Sequence, residues 1–293
     1  MENYKMKKIM SMIQKIPCYV RRRANWSYKL YSILGLRGGV KYFIVYFMHK
    51  HFYIKSFGKK VVRFKLYGMY VFYMRMFSRD LDFFNSIWIG NFVDNDCVGE
   101  YDISCNDNCF DSILDFGANI GLFTIMYALR YPDKKIVALE PEKENFELLK
   151  RNVAQFNNVV CLQNGVWYRE AYCKVFPGRV LMERSGVCSE GSYYIGECEK
   201  GEEGALLALS IQSVLERYKL NDCFIKMDIE GAESEIFEFG DLSWINACYM
   251  LVVETHEWLL NNQIDLLVAE KMATRGYQFR KSGENKIFVR VSS

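Results

Sequence analysis

Asp115-Phe116-Gly117-Ala118-Asn119-Ile120-Gly121 follows the apolar run Ser112–Phe116 and opens a helical pattern over Ile120–Leu129. A strand, an acid and two glycines before a helix form a turn whose backbone lets a ligand come close. Gly117 is expected at that approach and Gly121 where helix packs tightly on strand. The helix start then offers N–H groups, Asn119 among its first residues, to a carboxylate. Asp115 is placed to hold an ammonium. A second strand, Lys135–Leu139, ends in Glu140-Pro141, 25 residues after Asp115. An acid there accepts hydrogen bonds from two ribose hydroxyls, as in dinucleotide sites. The glycine spacing, however, is G-x-N-x-G and not G-x-G-x-x-G, and Asp115 would repel a pyrophosphate. An adenosine carrying a zwitterionic amino acid fits better. Asn164, at the end of a third strand Val159–Leu162, is a candidate adenine contact, and Pro141 belongs to the same cofactor edge. The plainer alternative is that the two glycines only shape a βα turn.

Outward from this point the pattern is regular. Helices are expected at Glu142–Phe156, Ile211–Tyr218, Ala232–Phe239 and Asp265–Arg275, and strands at Cys223–Met227 and Tyr249–Val253. Gly276–Arg280 and Lys286–Val291 read as a closing hairpin. Alternating strands and helices imply a doubly wound, mostly parallel Rossmann-like sheet, here with an antiparallel C-terminal strand. Three segments follow: a basic, largely helical arm (1–60), a lead-in of strand pair and helix (61–110), and an α/β domain (111–293) interrupted at 170–209. That interruption holds six glycines and no strong helical period. Insertions there lie over the ligand edge of such sheets, so it is expected to touch substrate. Near the start, Gly35, Gly38 and Gly39 are expected to break the helix, and Val61–Phe77 to form strands turning near Gly68. Ser78–Asn91 reads as a short helix with Asp80 as an early acid.

Composition agrees with a folded enzyme-sized domain: 293 residues, 51% hydrophobic and 16% aromatic. The net charge of +3 is uneven, since residues 1–65 carry 16 Lys or Arg against Glu2 alone. The basic arm is either a plain solvated charged surface or meets an anionic partner: an anionic membrane surface or a lipid-linked phosphorylated glycan comes before nucleic acid, and Trp26, Tyr28 and Tyr31 do not separate these. Ten cysteines include no C-x-x-C, and Cys105 and Cys109 have no second pair to complete a zinc site, so the thiols read as small buried groups in a reducing compartment. Met1–Lys15 lacks the apolar run of a signal peptide, and Tyr42–Met48 falls far short of the roughly 18 residues a span needs. The expected location is cytoplasmic, peripheral at a membrane through the arm.

The chain resembles the FkbM-type methyltransferases. The matching stretches are D-F-G-A-N-I-G at 115–121, L-E-P-E-K-E-N-F-E-L-L-K-R-N at 139–152, L-Q-N-G-V at 162–166, F-I-K-M-D-I-E-G-A-E at 224–233 and V-V-E-T-H at 252–256, with M-R-M-F-S-R-D-L-D-F-F at 74–84 before them. The resemblance covers about residues 70–292 and departs at Gly165, where the family usually has alanine. It implies a class I methyltransferase fold, S-adenosylmethionine as cofactor and O-methylation, often of sugar hydroxyls or of secondary metabolites.

Methyl transfer from a sulfonium is an in-line displacement, and a sugar hydroxyl needs its proton withdrawn. Two strand ends supply candidates, Lys226-Met227-Asp228-Ile229-Glu230 and Glu254-Thr255-His256. His256 is the leading general base because its pKa is tunable near neutrality. Asp228 and Glu230 orient the acceptor and His256; alternatively, Asp228, Glu254 and His256 bind a divalent cation, which is not the expected case. Lys226 either pairs with one of these acids or steadies a developing alkoxide. Two other functions stay in view: O-methylation of a small secondary metabolite, which predicts a more hydrophobic insertion than 170–209, and a cofactor-binding partner module without turnover, which the full set of motif residues disfavours.

Overall fold

The structure is a computed structural model that describes residues 18–51, 60–76, 78–89, 91–93, 96–98, 109–177, 193–255, 264–282 and 284–291. The chain divides into two compact units, Met1–Ile103 and Ser104–Ser293.

In the first unit, helix α1 (Cys18–His51) precedes a hairpin of β1 (Val61–Leu66) and β2 (Tyr70–Arg75), then a short helix α2 (Asp80–Phe84) continued by a π turn, and a small pair β3 (Asn91–Val93) and β4 (Asp96–Val98). Of the three glycines expected to break α1, only Gly35 does so, at φ 66° and ψ 170°. Gly38 and Gly39 stay helical. A Cβ on Gly39 would lie 2.3 Å from the Tyr31 ring, so this glycine lets an aromatic ring lie on the helix backbone. The turn near Gly68 is as expected. Tyr42 from α1 meets Phe64 and Phe84, and Phe84 stacks on Phe72 and Trp88, which makes an aromatic core. Asp80 sits in the first turn of α2, as read from the sequence, but its carboxylate is buried on Arg75. It accepts from the Arg75 backbone N–H at 2.7 Å, Nε at 3.0 Å and Nη2 at 2.8 Å.

The second unit is built on a seven-stranded sheet. In chain order its elements are β5 (Ser112–Phe116), α3 (Leu122–Arg130), β6 (Lys135–Leu139), α4 (Lys143–Val153), β7 (Val159–Leu162), β8 (Gly165–Val166), β9 (Ala171–Pro177), β10 (Tyr193–Glu197), β11 (Leu206–Leu209), α5 (Ile211–Tyr218), β12 (Cys223–Met227), α6 (Glu233–Phe239), β13 (Cys248–Glu254), α7 (Ile264–Ala273), β14 (Tyr277–Ser282) and β15 (Asn285–Arg290). The large sheet runs β14-β15-β13-β12-β5-β6-β7, with β15 antiparallel to both neighbours and the remaining pairs parallel. Strands β5 and β12 are buried along their whole length, as parallel strands covered on both faces must be, and this explains their unbroken apolar runs. The chain leaves β5 toward β6 on one side and reaches β12 on the other, so the switch point lies between β5 and β12, where ligand crevices form. This is the class I methyltransferase arrangement.

The insertion is more ordered than its composition suggests. Strands β9, β10 and β11 join β8 in a second sheet of order β10-β9-β11-β8. Residues 178–192 of the insertion lie outside the described residues. Trp167, Cys173, Ile195 and Ala208 form the small core of this sheet together with Ala232, and Ile229 packs against it. The second sheet therefore rests on the loop after β12. Gly165 is part of this packing: a Cβ there would come 2.7 Å from the Ile195 Cδ1 methyl, which fills the space the family's alanine would use.

Removing one partner of a buried ion pair leaves an uncompensated charge. Asp80→Ala should therefore cost about 3–5 kcal/mol of unfolding free energy, read by urea denaturation followed through the near-ultraviolet signal of the aromatic core. A loss below about 1 kcal/mol would place the pair among weak surface-like contacts.

Candidate active site

The carboxyl edge of the large sheet gathers the residues singled out by sequence. Asp115 and Lys226 are register partners across β5 and β12, so their side chains emerge side by side. Lys226 is only 3% exposed. Its ammonium lies 3.5 Å from Asp115 Oδ1 and 3.4 Å from Asp228 Oδ2, and donates to the carbonyls of Gly117 at 2.7 Å and Phe116 at 3.3 Å. The second Asp115 oxygen accepts from the Thr124 hydroxyl at 2.5 Å. Burial pushes the Asp115 carboxyl above its ordinary range, with Lys226 and Thr124 opposing it. Burial alone would lower the Lys226 pKa, but the carboxylates of Asp228, Asp115 and Glu254 outweigh it, and the net direction is upward. The ammonium is therefore a fixed charge.

The glycine loop follows from this packing. Gly117 has φ 75°, and a Cβ there would lie 1.7 Å from the Asp228 carbonyl oxygen. The close approach expected of Gly117 is thus to the chain's own β12 end. Gly121, at φ 85°, meets Leu149 and Val153 of α4, so it serves helix–helix packing and not the helix–strand contact expected. The N–H groups of Gly117 and Ala118 continue the sheet by donating to the Leu139 carbonyl at 3.1 and 2.9 Å, and that of Gly121 donates to the Ala118 carbonyl. Asn119 is left-handed at φ 52°.

Glu140 closes the loop from the other side. Its Oε2 accepts from the Asn119 N–H at 2.7 Å, and its Oε1 from the Glu142 N–H at 2.9 Å and Asn145 Nδ2 at 3.4 Å. Burial raises its pKa to about 7 despite these donors. Pro141 is half-buried in the same turn. Asn164 is partly committed elsewhere, since its Nδ2 donates to the Leu207 carbonyl at 2.6 Å and ties the end of β7 to the second sheet.

Beyond β12, Asp228 is half-buried and Glu230 takes a left-handed φ of 55°, a conformation that costs a non-glycine residue roughly 1–2 kcal/mol. Glu233 holds it there. Its buried carboxylate accepts from the N–H groups of Ile229 at 3.0 Å and Gly231 at 2.8 Å. Glu233 and Thr124 were not among the candidates, although both belong to the local machinery. Glu233 does end the matching stretch F-I-K-M-D-I-E-G-A-E, and as an acid in the first turn of α6 it stands where free backbone donors are accepted. Thr124 gave no signal, because its partner is set by the fold. Glu254 ends β13, in register with Asn285. Just after it, Thr255, Asp265 and Lys286 form a second charged network: Thr255 hydrogen-bonds both, and Lys286 Nζ lies 2.6 Å from Asp265 Oδ1. His256 lies outside the described residues. Among those described, no group of three or more His, Cys, Asp or Glu side chains is arranged to hold a metal ion.

Residues 115–279 match the Methyltransferase FkbM domain. The chain belongs to that family. Methyltransferase sdnD of Sordaria araneosa is 28% identical over 201 residues, 56% of this chain and 77% of that protein. Among solved structures, methyltransferase FkbM from Methylobacillus flagellatus KT is 15% identical with a TM-score of 0.38, and the alignment covers 61% of this chain but only 43% of that one. Precorrin-6y C5,15-methyltransferase from Geobacter metallireducens GS-15 is also 15% identical, with a TM-score of 0.34 and coverage of 63% and 83%.

Membership implies S-adenosylmethionine as the methyl donor, and the residues present suit it. On the glycine loop, Asn119 Oδ1 is a buried acceptor without a hydrogen-bond donor, and Asp115 Oδ1 has no donor closer than the Lys226 ammonium at 3.5 Å. A buried acceptor without a donor is costly, and a cationic, multiply donating ligand relieves it. Glu140 would be the ribose-side acceptor when the cofactor binds, for a carboxylate offers about four acceptor sites.

The raised pKa of Glu140 has two consequences. A carboxyl that binds its proton more tightly when folded lowers the stability of the ligand-free protein as pH rises from about 4.5 to about 7. Ligand hydroxyls need the ionised form, so affinity should run the other way. The dissociation constant for S-adenosylmethionine should be about tenfold higher at pH 6 than at pH 8, measured by isothermal titration, and Glu140→Gln should remove that extra pH dependence along with most of the affinity. An unchanged slope in Glu140→Gln would take Glu140 out of the site.

Proposed function

We propose that the protein transfers the methyl group of S-adenosylmethionine to a sugar hydroxyl of a glycan or glycolipid. One observation carries this reading: the half-buried Asp228 carboxylate is held 3.4 Å from a buried ammonium at the switch point of the sheet. A fixed carboxylate at that edge, with Glu230 and Glu254 on neighbouring strand ends, suits an acceptor rich in hydroxyl donors better than a flat apolar one. The second sheet, resting on Ile229 and Ala232, is the natural wall for such an acceptor.

The bound cofactor supplies an electrophilic methyl on a sulfonium, displaced in line by the acceptor oxygen. The chain aligns and deprotonates. Asp228 accepts from acceptor hydroxyls and fixes their angle, the larger part of catalysis in such a displacement. His256 takes the hydroxyl proton as the carbon–oxygen bond forms, and Glu254 favours the imidazolium that results. Lys226 is a positioning residue here, because its donors are spent on Asp115, Asp228 and two carbonyls.

Single-turnover methylation of an acceptor glycan tests this reading. His256→Ala should slow transfer by about 10²–10⁴-fold with little change in cofactor affinity. The wild-type rate should rise with pH through the histidine's pKa, near 6.5 when unperturbed. Chelator should leave the rate unchanged. A near wild-type rate for His256→Ala would remove the general base. Activity lost to chelator and restored by magnesium, with Asp228→Ala at least as damaging as His256→Ala, would replace the base with a metal.

A further inference from the structure

Helix α1 has two apolar faces and only one is buried. After the Gly35 kink, Tyr42 and Val45 point into the aromatic core, while Leu36, Val40, Phe43, Ile44 and Phe47 recur at helical spacing on the outside. Leu36 is 73% exposed, and Phe43 and Ile44 are each more than half exposed. The hairpin adjoins this helix: the Tyr67 N–H donates to the Ile33 carbonyl at 2.6 Å, and Lys41 Nζ donates to the Arg63 carbonyl at 2.8 Å. Its turn adds exposed Tyr67 and Met69, and Arg63 and Lys65 are exposed along β1. A large exposed apolar surface marks an interaction site.

The charge of the sequence that carries the patch names the partner. Between Glu2 and Asp80 the sequence contains 18 Lys or Arg and no carboxylate. A protein partner with an apolar face does not call for a flank free of acids. A nucleic acid would leave the phenylalanines in water. Anionic lipid satisfies both features, with apolar side chains in the acyl boundary and cations among the headgroups. Among the described residues no helix is long and apolar enough to cross a membrane, so a bilayer would be met by this surface lying on it.

We propose that the outer face of helix α1, with the β1–β2 turn, seats the protein on an anionic lipid bilayer. The proposal is independent of which acceptor is methylated. The test is flotation of the full chain with phosphatidylcholine vesicles, with and without phosphatidylglycerol. The wild type should float with the anionic vesicles only, less so at high salt. Phe43→Ser with Ile44→Ser should lower the partition coefficient by about tenfold or more, since two apolar side chains no longer leave water. Arg37→Glu with Lys65→Glu should lower it by about tenfold or more. Both variants should keep the wild-type melting temperature and S-adenosylmethionine affinity, because these side chains are exposed. No flotation, equal flotation with neutral vesicles, or wild-type flotation of the serine variant would overturn the proposal. So would a wild-type dimer in sedimentation velocity that the serine variant dissolves, if vesicles do not bind, since the patch would then belong to a second copy.

Discussion

The ammonium of Lys226 lies among four oxygens: the carboxylates of Asp115 and Asp228 and the carbonyls of Phe116 and Gly117. Taking such a charge out of water costs several kcal/mol, which only close compensation offsets. Here compensation comes from the ends of two adjacent strands and the turn between strand and helix. The ammonium therefore specifies where β5 and β12 stop relative to each other, the path of the glycine loop, and the direction of Asp228. Asp115, whose second oxygen is occupied by Thr124, anchors this arrangement to the start of α3.

Two further constraints complete the edge. Gly117 lies against the Asp228 carbonyl, so the glycine loop and the end of β12 share one contact. Glu233 holds the left-handed turn at Glu230 by accepting two backbone donors. Strain kept by a dedicated carboxylate is a mark of a functional loop. The glycine loop and the β12 end are thus a single hydrogen-bonded unit, which explains why the motif residues lie far apart in sequence yet close in register.

Much of this was legible in the sequence. Strands β5, β6 and β12 have the limits their apolar runs gave, because a parallel strand buried on both faces leaves an uninterrupted signal, and the half-buried edge strand β7 keeps its limits too. Lys226 and Asp228 were placed at the right edge by their position after such a run. What stayed hidden depends on long-range partners. Strands β9 and β10 are largely half-buried and show no clean alternation, so the second sheet left no period to read. The real neighbours of Gly117 and Gly121, Asp228 and α4, belong to other segments, and so does the Asp115 partner of Thr124. The charged network of Thr255, Asp265 and Lys286 combines three elements and has no local signature.

One buried cation couples the two strand ends, and a double-mutant cycle on Lys226 and Asp115 measures that coupling. Unfolding free energies would be measured for the wild type, Lys226→Met, Asp115→Asn and the double variant. Each single change should cost about 3–5 kcal/mol by stranding its partner, and the double variant should cost at least about 2 kcal/mol less than the sum, a coupling typical of groups in one network. Additive losses, or a Lys226→Met protein as stable as the wild type, would contradict the account.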